Sequence, residues 1–503
     1  MELLDLDGVI EKGVFEIPSY QRGYAWQKEQ LKDFWNDLEH VSKLGDKFHY
    51  MHSLTLRESE NEFESSAFEI IDGQQRLATS LILLGLLAKI TQNKDPKYSL
   101  INLEPILSYK YYGLSEAFRA ITEEEKDLER FQTSFYAKNL IDAYAFFKEK
   151  ISDTPVGTLE KMFDALIKKM LFSVVGLNDN RIDPFSSFET INNRGKDLST
   201  LELFKNRLHF VAHKICDGKK LEKLQQEINN TYTLIYHDLR HFKDDHLEGF
   251  LKNFVAYYYG ENSKFKERLL NTAFDAHKKY DDLYDEYEKI NDLLLHLSYS
   301  SKVWYFLHTL DDEELRIEIT PKMRDLLDKM RRLNALSYNA FLPLLLSLLT
   351  IQLAVRSGSE RHYTTKELEG LLEYLERFGF LIYGVADGKK TAKNEWIELA
   401  FKAIQAYRFW GDKITIEDLP TLEKNFFKGK YSGLELLEES IHSKKNTEKW
   451  YRWGKALNYL LYEYELHHNP ETTLNFDSSI ESIEHILPQK PDQGYSDKEK
   501  KLG

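Results

Sequence analysis

Apolar and polar residues follow two different patterns along the chain. Up to about residue 200, short apolar runs typical of strands lie between helical repeats. The runs that predict strands are residues 13–18, 49–56, 68–71 and 171–177. The repeats that predict helices in this part are residues 27–44 and 77–90. From residue 200 to about residue 466 the spacing is helical almost throughout, so we expect an α+β fold with a large helical middle.

These patterns predict three domains, which are residues 1–205, 206–468 and 469–503. The helical spacing ends at Asn469 and Pro470, and a short strand-like run follows at residues 482–487. The most apolar stretch, residues 342–355, is too short to cross a bilayer and contains three polar residues. We therefore expect a buried core helix there and no association with a membrane.

Composition narrows the class of protein. The 503 residues include 68 Lys and Arg against 82 Asp and Glu, so the formal charge is −14. This balance excludes a polycation that holds DNA by bulk charge, but a local basic pocket remains compatible with it. The single cysteine, Cys216, permits neither an internal disulfide nor a multi-cysteine zinc site. The N-terminus lacks the features of a signal peptide, so we expect a cytoplasmic protein.

The first candidate for chemistry is the sequence Ile-Pro-Ser-Tyr-Gln-Arg-Gly-Tyr-Ala-Trp at residues 17–26. An arginine offers paired donors that suit phosphate, and aromatic rings can stack on a base. The side chains with this capacity are Tyr20, Gln21, Arg22, Tyr24 and Trp26. The alternative is a structural loop whose rings pack on a neighbouring helix while Arg22 is solvated. Residue types alone leave both interpretations open.

The second candidate follows a predicted strand that runs into Asp72 and Gly73 and then opens a helix. Free backbone N–H groups at a helix start favour an anion, and Arg76 adds a charged donor. Asp72 could hold a metal ion or position a water, while Gln74 and Gln75 could orient a nucleophile or a base edge. The alternative is that Asp72 is simply the N-cap of the helix.

The third candidate is the polar segment of residues 188–199, which continues to Lys205 and Asn206. Gly195 can end one helix and Ser199 can cap the next. Asn192 would then project from the corner between two helices. An ordinary polar connection explains this segment equally well.

In this order and spacing, the three segments resemble the N-terminal domain of GmrSD-type, modification-dependent restriction enzymes. The family pattern is Ile-Pro-x-Tyr-Gln-Arg-x-Tyr-x-Trp, then Asp-Gly-Gln-Gln-Arg, then Phe-x-x-x-Asn-x-x-Gly. The matching residues are Tyr20, Gln21, Arg22, Tyr24, Trp26, Asp72, Gly73, Gln74, Gln75, Arg76, Phe188, Asn192 and Gly195. The resemblance implies a ParB/sulfiredoxin-like domain that hydrolyses a nucleotide and senses modified DNA. One departure is His52, where relatives often have glycine.

The resemblance also implies roles for particular residues. Asp72, Gln75 and Arg76 would be catalytic. The residues that would bind nucleotide or DNA are Tyr20, Gln21, Arg22, Tyr24, Trp26, Gly73, Gln74, Asn192 and Gly195. The chain has no Gly-x4-Gly-Lys-Ser/Thr loop, so arginines, amides and a helix start would have to hold the nucleotide. The sequence does not decide between GTP, ATP, CTP and UTP. Mg²⁺ or Mn²⁺ is the expected metal.

A C-terminal octapeptide carries the last candidate, Glu484 next to His485. A metal and a general base are what phosphodiester cleavage requires, although a surface histidine is the commoner explanation of such a pair. The octapeptide resembles the start of a GmrD-like, HNH-type (ββα-metal) nuclease, with His485 as base and Glu484 on the metal side. Because relatives continue beyond the Leu-Gly pair found at residues 502 and 503, we expect an incomplete module that lacks cleavage activity.

Two functions remain open at this point. The first is an NTP-dependent restriction protein in antiphage defence that acts on modified double-stranded DNA. The alternative is a nucleotide-regulated sensor of modified DNA that needs no catalytic turnover. Both leave a homo-oligomer open.

Overall fold

The computed structural model describes residues 2–59, 67–92, 95–99, 106–110, 113–177, 198–242, 244–275, 278–280, 282–313, 315–333, 338–355, 363–385, 392–409, 411–420 and 455–469. These residues form one mixed sheet with surrounding helices, followed by a long helical part, in agreement with the expected α+β class. The chain divides into two compact units, Met1–Arg316 with Leu346–Ala354, and Ile317–Leu345 with Val355–Gly503. The three predicted domains and the boundaries between them stay a prediction.

The sheet has six strands in the order β1-β6-β3-β4-β2-β5. They are β1 (Glu2–Leu4), β2 (Val14–Ile17), β3 (His49–Glu58), β4 (Ala67–Asp72), β5 (Leu107–Tyr109) and β6 (Met170–Gly176). Strand β2 is parallel to both β4 and β5, and β3 is parallel to β6. The pairs β1–β6 and β3–β4 are antiparallel.

The parallel pairing of β2 with β4 positions the candidate site. Phe15 lies opposite Phe68 and Glu16 lies opposite Glu69, so both strands end at the same edge of the sheet. The segments that follow them must therefore start side by side, as loops do at the carboxyl edge of parallel strands. These segments are residues 20–26, called here the aromatic loop, and residues 72–76, called here the helix start.

Helices cover this sheet and make up most of the remaining chain. Those before β6 are α1 (Leu6–Glu11), α2 (Lys28–Ser42), α3 (Gln74–Ile90), α4 (Leu114–Thr122), α5 (Phe135–Ser152) and α6 (Val156–Lys168). Those after it are α7 (Thr200–Ile215), α8 (Gly218–Asp238), α9 (Asp244–Tyr259), α10 (Phe265–Glu267), α11 (Leu283–Thr309), α12 (Pro321–Arg332), α13 (Tyr338–Ala354), α14 (Thr365–Phe378), α15 (Lys393–Phe409) and α16 (Lys455–His468).

Burial confirms the predicted apolar faces. Helix α2 buries the whole predicted stripe, which is Leu31, Phe34, Trp35, Leu38 and Val41. Helix α3 is buried along nearly its full length and packs against α5 and α6. The apolar stretch that predicted a core helix lies within α13 and is largely buried. Within the described residues, no helix has the length and apolar character needed to span a bilayer.

The structure differs from the predicted elements in a few places. Helix α3 begins at Gln74, before the predicted start at residue 77. Strands β1 and β5 and helix α1 were not predicted, because runs of three to six residues carry little periodicity. Helices α4, α5 and α6 were not predicted either, although α5 has 18 residues and α6 has 13. The predicted strand at residues 482–487 lies outside the described residues.

Candidate nucleotide site

Glutamine side chains join the helix start to the aromatic loop. The Oε1 atom of Gln75 accepts a hydrogen bond from the backbone N–H of Ala25 at 2.8 Å. The Nε2 atom of the same side chain donates to the carbonyl of Gly23 at 2.9 Å. Gln74 adds a third bond, from its Nε2 atom to the carbonyl of Arg22 at 2.9 Å. The two segments are therefore bonded directly to each other.

Gln21 makes the reverse connection, from the loop to strand β4. Its Nε2 atom donates to the carbonyl of Ile71 at 3.1 Å and also contacts the carbonyl of Ile70. All three side chains, Gln21, Gln74 and Gln75, are buried. Their amides therefore satisfy backbone groups that water does not reach. The structure gives Gln21 and Gln75 a positioning role, and the catalytic role of Gln75 stays a prediction.

The three aromatic residues of the loop differ in exposure. Tyr24 is fully buried, and its hydroxyl shares a 2.6 Å hydrogen bond with Thr79, while burial raises its pKa. Tyr20 is buried against Ile71. Trp26 is half-buried and lies 6.0 Å from the Phe34 ring, measured between ring centroids. Of the three rings, only that of Trp26 is accessible to a base in this arrangement.

Two glycines are required by this geometry. A Cβ atom at Gly23 would lie 2.5 Å from the Cγ atom of Tyr136, so no side chain fits there. Gly73 has a φ of 101°, and a Cβ atom on it would lie 2.9 Å from the carbonyl oxygen of Ser53. Gly73 is also the N-cap of α3, whereas Asp72 is the last residue of β4. The alternative interpretation of Asp72 as the N-cap is therefore wrong.

Asp72 instead forms a small charged network with Arg76 and Ser53. The Nη2 atom of Arg76 lies 3.0 Å from Asp72 Oδ2 and donates to the Ser53 carbonyl at 2.7 Å. The Ser53 hydroxyl donates to the same Asp72 oxygen at 3.1 Å. The side chains of Arg76 and Asp72 remain 23% and 20% exposed, so a ligand can reach both.

Several polar atoms of this network can form further hydrogen bonds. Gln74 Oε1 and Arg76 Nε are buried and have no hydrogen-bond partner within the part of the chain that the structure describes. In the same part of the chain, both hydrogen bonds to the Asp72 carboxylate go to Oδ2, which leaves Oδ1 to accept others. Buried polar atoms are nearly always satisfied, so this cluster can offer a donor and acceptors to a bound ligand.

Arg22 brings a buried positive charge close to this site. Arg22 is only 8% exposed, so the solvated arginine of the alternative interpretation is wrong. The other part of that interpretation, packing of the rings, agrees with the buried Tyr20 and Tyr24 and with Trp26 beside Phe34 of α2. Burial is the main cause that raises the pKa of the Tyr136 hydroxyl, with Glu202 as the second, and Arg22 opposes the rise. A buried guanidinium requires compensation by an anion or by hydrogen bonds.

Helices α7 and α8 hold the residue that precedes the aromatic loop. Lys205 donates from Nζ to the Ser19 carbonyl, and Asn229 donates from Nδ2 to the Ser19 hydroxyl at 3.0 Å. Burial lowers the pKa of Lys205 to about 7, partly offset by Glu202. The sequence pattern did not single out Asn229, because it lies on an ordinary amphipathic helix. Asn192 and Gly195, which were expected to bind nucleotide or DNA, lie outside the described residues.

Metal-binding capacity at this site is limited. The described residues contain no group of three or more His, Cys, Asp or Glu side chains that could hold a metal ion. Asp72 is the carboxylate available here, and Mg²⁺ can bind through one carboxylate when phosphate and water oxygens complete its coordination. The donor set therefore fits a metal that arrives with a phosphate ligand. Glu484 and His485 lie outside the described residues.

Comparison with known proteins agrees with the motifs. Residues 3–209 match the family model described as GmrSD restriction endonuclease, N-terminal domain. This range includes the whole sheet, the aromatic loop and the helix start. No curated protein sequence matches the chain. The match supports a GmrSD-type family and the relation of this protein to restriction endonucleases.

Proposed function

We propose that this protein is an NTP-dependent restriction protein of antiphage defence, in which the N-terminal domain hydrolyses a nucleoside triphosphate and responds to modified double-stranded DNA. The observation that carries the proposal is a group of polar atoms at the helix start. Gln74 Oε1 and Arg76 Nε have no hydrogen-bond partner among the described residues, and Asp72 beside them is partly exposed. The match to the GmrSD N-terminal domain supports the proposal of a restriction function.

The geometry favours a particular place for the triphosphate. The glutamine bonds hold the aromatic loop directly against the helix start, so the nucleotide would lie on their common surface and not between them. There the first backbone N–H groups of α3 and the guanidinium of Arg76 can face its phosphates. Arg22, buried behind the loop, adds positive potential.

The residues present can support hydrolysis by positioning and charge. Arg76 would neutralise negative charge that develops on the transferred phosphoryl group, as cationic side chains do in other phosphoryl-transfer sites. Asp72 and the Ser53 hydroxyl, which are already bonded to each other, would orient the attacking water. A divalent metal bound by Asp72 together with phosphate oxygens would supply further charge neutralisation.

DNA cleavage is proposed for the C-terminal segment. His485 would act as general base and Glu484 would bind a divalent metal, in agreement with the HNH-type resemblance. Both roles stay predictions. We expect no plasmid nicking by the 503-residue chain with Mg²⁺ or Mn²⁺, so nicking by this chain would contradict the expected incomplete module. In a protein that carries a complete module, His485→Ala should abolish nicking, and equal nicking with and without the substitution would contradict the role of His485.

The hydrolysis proposal is tested by phosphate release from ATP, GTP, CTP and UTP. Arg76→Ala should lower the rate by about 10²- to 10³-fold, the usual effect of removing one donor to a developing charge. The matched control is Arg57→Ala, because Arg57 also forms an ion pair with a carboxylate, Glu69, but lies outside the site. Equal rates for the wild type and Arg76→Ala would contradict the proposal.

A further inference from the structure

A cleft of about 880 Å³ opens beside the aromatic loop, with Trp26 in its wall. The other walls are the first turn of α2, one face of α5, and residues 240–242 between α8 and α9. Its volume lies in the range of ligand sites in proteins. It is a second candidate site, next to the helix start but built from other residues.

Aromatic rings form the apolar part of this cleft. The four rings that line it are Trp26, Phe135, Phe146 and Phe242, and all four are half-buried. Rings that are fixed on one side and open on the other provide a surface on which a base can stack.

The charged residues of the cleft are positive on balance. Lys138 is neutralised by Asp142, since its Nζ atom lies 2.5 Å from Asp142 Oδ2. Lys28 and Arg240 then face a single carboxylate, that of Glu149. On a chain whose formal charge is −14, such a site favours an anionic ligand over the rest of the surface.

We propose that this cleft binds one unstacked nucleotide of a DNA strand, with its base against the rings and its phosphates beside Lys28 and Arg240. The proposal deepens the proposed function, because it rests on DNA as the ligand. Bases in a duplex are covered on both faces, so only an unpaired or extruded base can use such a surface.

The cleft is connected to the candidate nucleotide site through the aromatic loop. Asn139, which lines the cleft, donates from Nδ2 to the Tyr24 carbonyl at 3.3 Å. The next backbone N–H, that of Ala25, donates to Gln75 at 2.8 Å. A nucleotide that moves Asn139 would therefore act on the helix start through two hydrogen bonds, and one that moves Trp26 would act through the adjoining Ala25 and its bond to Gln75.

The test is fluorescence anisotropy of a short labelled single strand, without nucleoside triphosphate. Phe242→Leu should weaken binding by about 5- to 100-fold, the usual effect of losing one stacking ring. Lys28→Ala should reduce the salt dependence of binding by about 0.7 in the slope of log K against log salt. The matched controls are Phe48→Leu and Lys32→Ala, which are exposed and do not line the cleft.

Each outcome decides the proposal. A single strand, or a duplex with one unpaired base, should bind more tightly than a fully paired duplex. Equal affinity for the paired duplex, or cleft variants that bind like wild type, would overturn the proposal. Phe242 packs on His246, so Lys28→Ala, an exposed substitution, keeps the test decisive if Phe242→Leu fails to fold.

Failure of this proposal can be distinguished from failure of the proposed function. If strand binding depends on the cleft residues but the wild-type protein releases no phosphate from any nucleotide, the cleft proposal stands and the hydrolysis proposal fails. Phosphate release that depends on Arg76, together with strand binding indifferent to Phe242 and Lys28, would do the reverse.

Discussion

Replacement of Gln75 by alanine should release the aromatic loop from the helix start. The substitution removes two hydrogen bonds, one from the N–H of Ala25 at 2.8 Å and one to the carbonyl of Gly23 at 2.9 Å. Both backbone groups belong to buried residues, so water does not replace the lost bonds without local opening. A buried group left unsatisfied costs about 1–3 kcal/mol, and a cost of about 1–2 kcal/mol for each of these two groups would destabilise the closed loop by about 2–4 kcal/mol.

Hydrogen exchange measured by mass spectrometry on a peptide that covers residues 20–26 gives the local readout. A free-energy change of about 2–4 kcal/mol corresponds to exchange that is about 30- to 700-fold faster, if the loop amides exchange by local opening. The matched control is Gln30→Ala. Its side chain also accepts a bond from a backbone N–H, that of Gln27 at 2.9 Å, but at the exposed start of α2.

The control variant should change exchange in the loop by less than about threefold, as surface substitutions usually do. Unchanged protection of residues 20–26 in Gln75→Ala would refute the reasoning, because the loop would then be held by something other than this amide. Equal acceleration in the control would refute it as well, since the effect would not depend on burial.

Three further predictions concern stability. Gly23→Ala should destabilise the protein by about 1–3 kcal/mol in thermal unfolding, because the added Cβ meets Tyr136, whereas Gly45→Ala, which meets nothing within 4 Å, should not. His52 has a φ of 64°, so His52→Gly should stabilise by about 1 kcal/mol in urea unfolding, and an alanine there should not. Lys205 binds its proton less readily in the folded than in the unfolded state, because burial lowers its pKa from 10.5 to about 7. Stability should therefore rise with pH across this window, by at most about 1.4 kcal/mol per pH unit, and Lys205→Met should remove that rise in unfolding curves measured from pH 7 to 9.

Several long periodic elements could be predicted from the sequence, although helices α5 and α6 were missed. The stripe from Leu31 to Val41 repeats at helical spacing, and the structure buries all of it in α2. The start of α3 was placed three residues late, because Gln74, Gln75 and Arg76 look like solvated residues. Their amides are buried by hydrogen bonds to a loop fifty residues away in the chain, and no local pattern reveals such a partner.

The sequence predicted which segments form the candidate site but not how their side chains are arranged. The motifs predicted functional residues in the aromatic loop and the helix start, and in the structure these two segments are in direct contact. Residue types suggested that Tyr24 stacks on a base, yet its ring is fully buried with its hydroxyl on Thr79. Ser53 and Asn229 were not singled out in the sequence, since only the antiparallel pairing of β3 with β4 and the hydrogen bond from α8 to Ser19 place them beside the motifs.

The central claim is that the N-terminal domain turns over a nucleotide under the control of modified DNA. The most direct test measures phosphate release from ATP, GTP, CTP and UTP with no DNA, with unmodified duplex and with duplexes that carry phosphorothioate linkages or glucosylated bases. We predict hydrolysis of at least one nucleotide, a rate that changes with one modified duplex but not with the unmodified one, and loss of this activity in Arg76→Ala. No release from any nucleotide, or a rate that is the same with every duplex, would contradict the account.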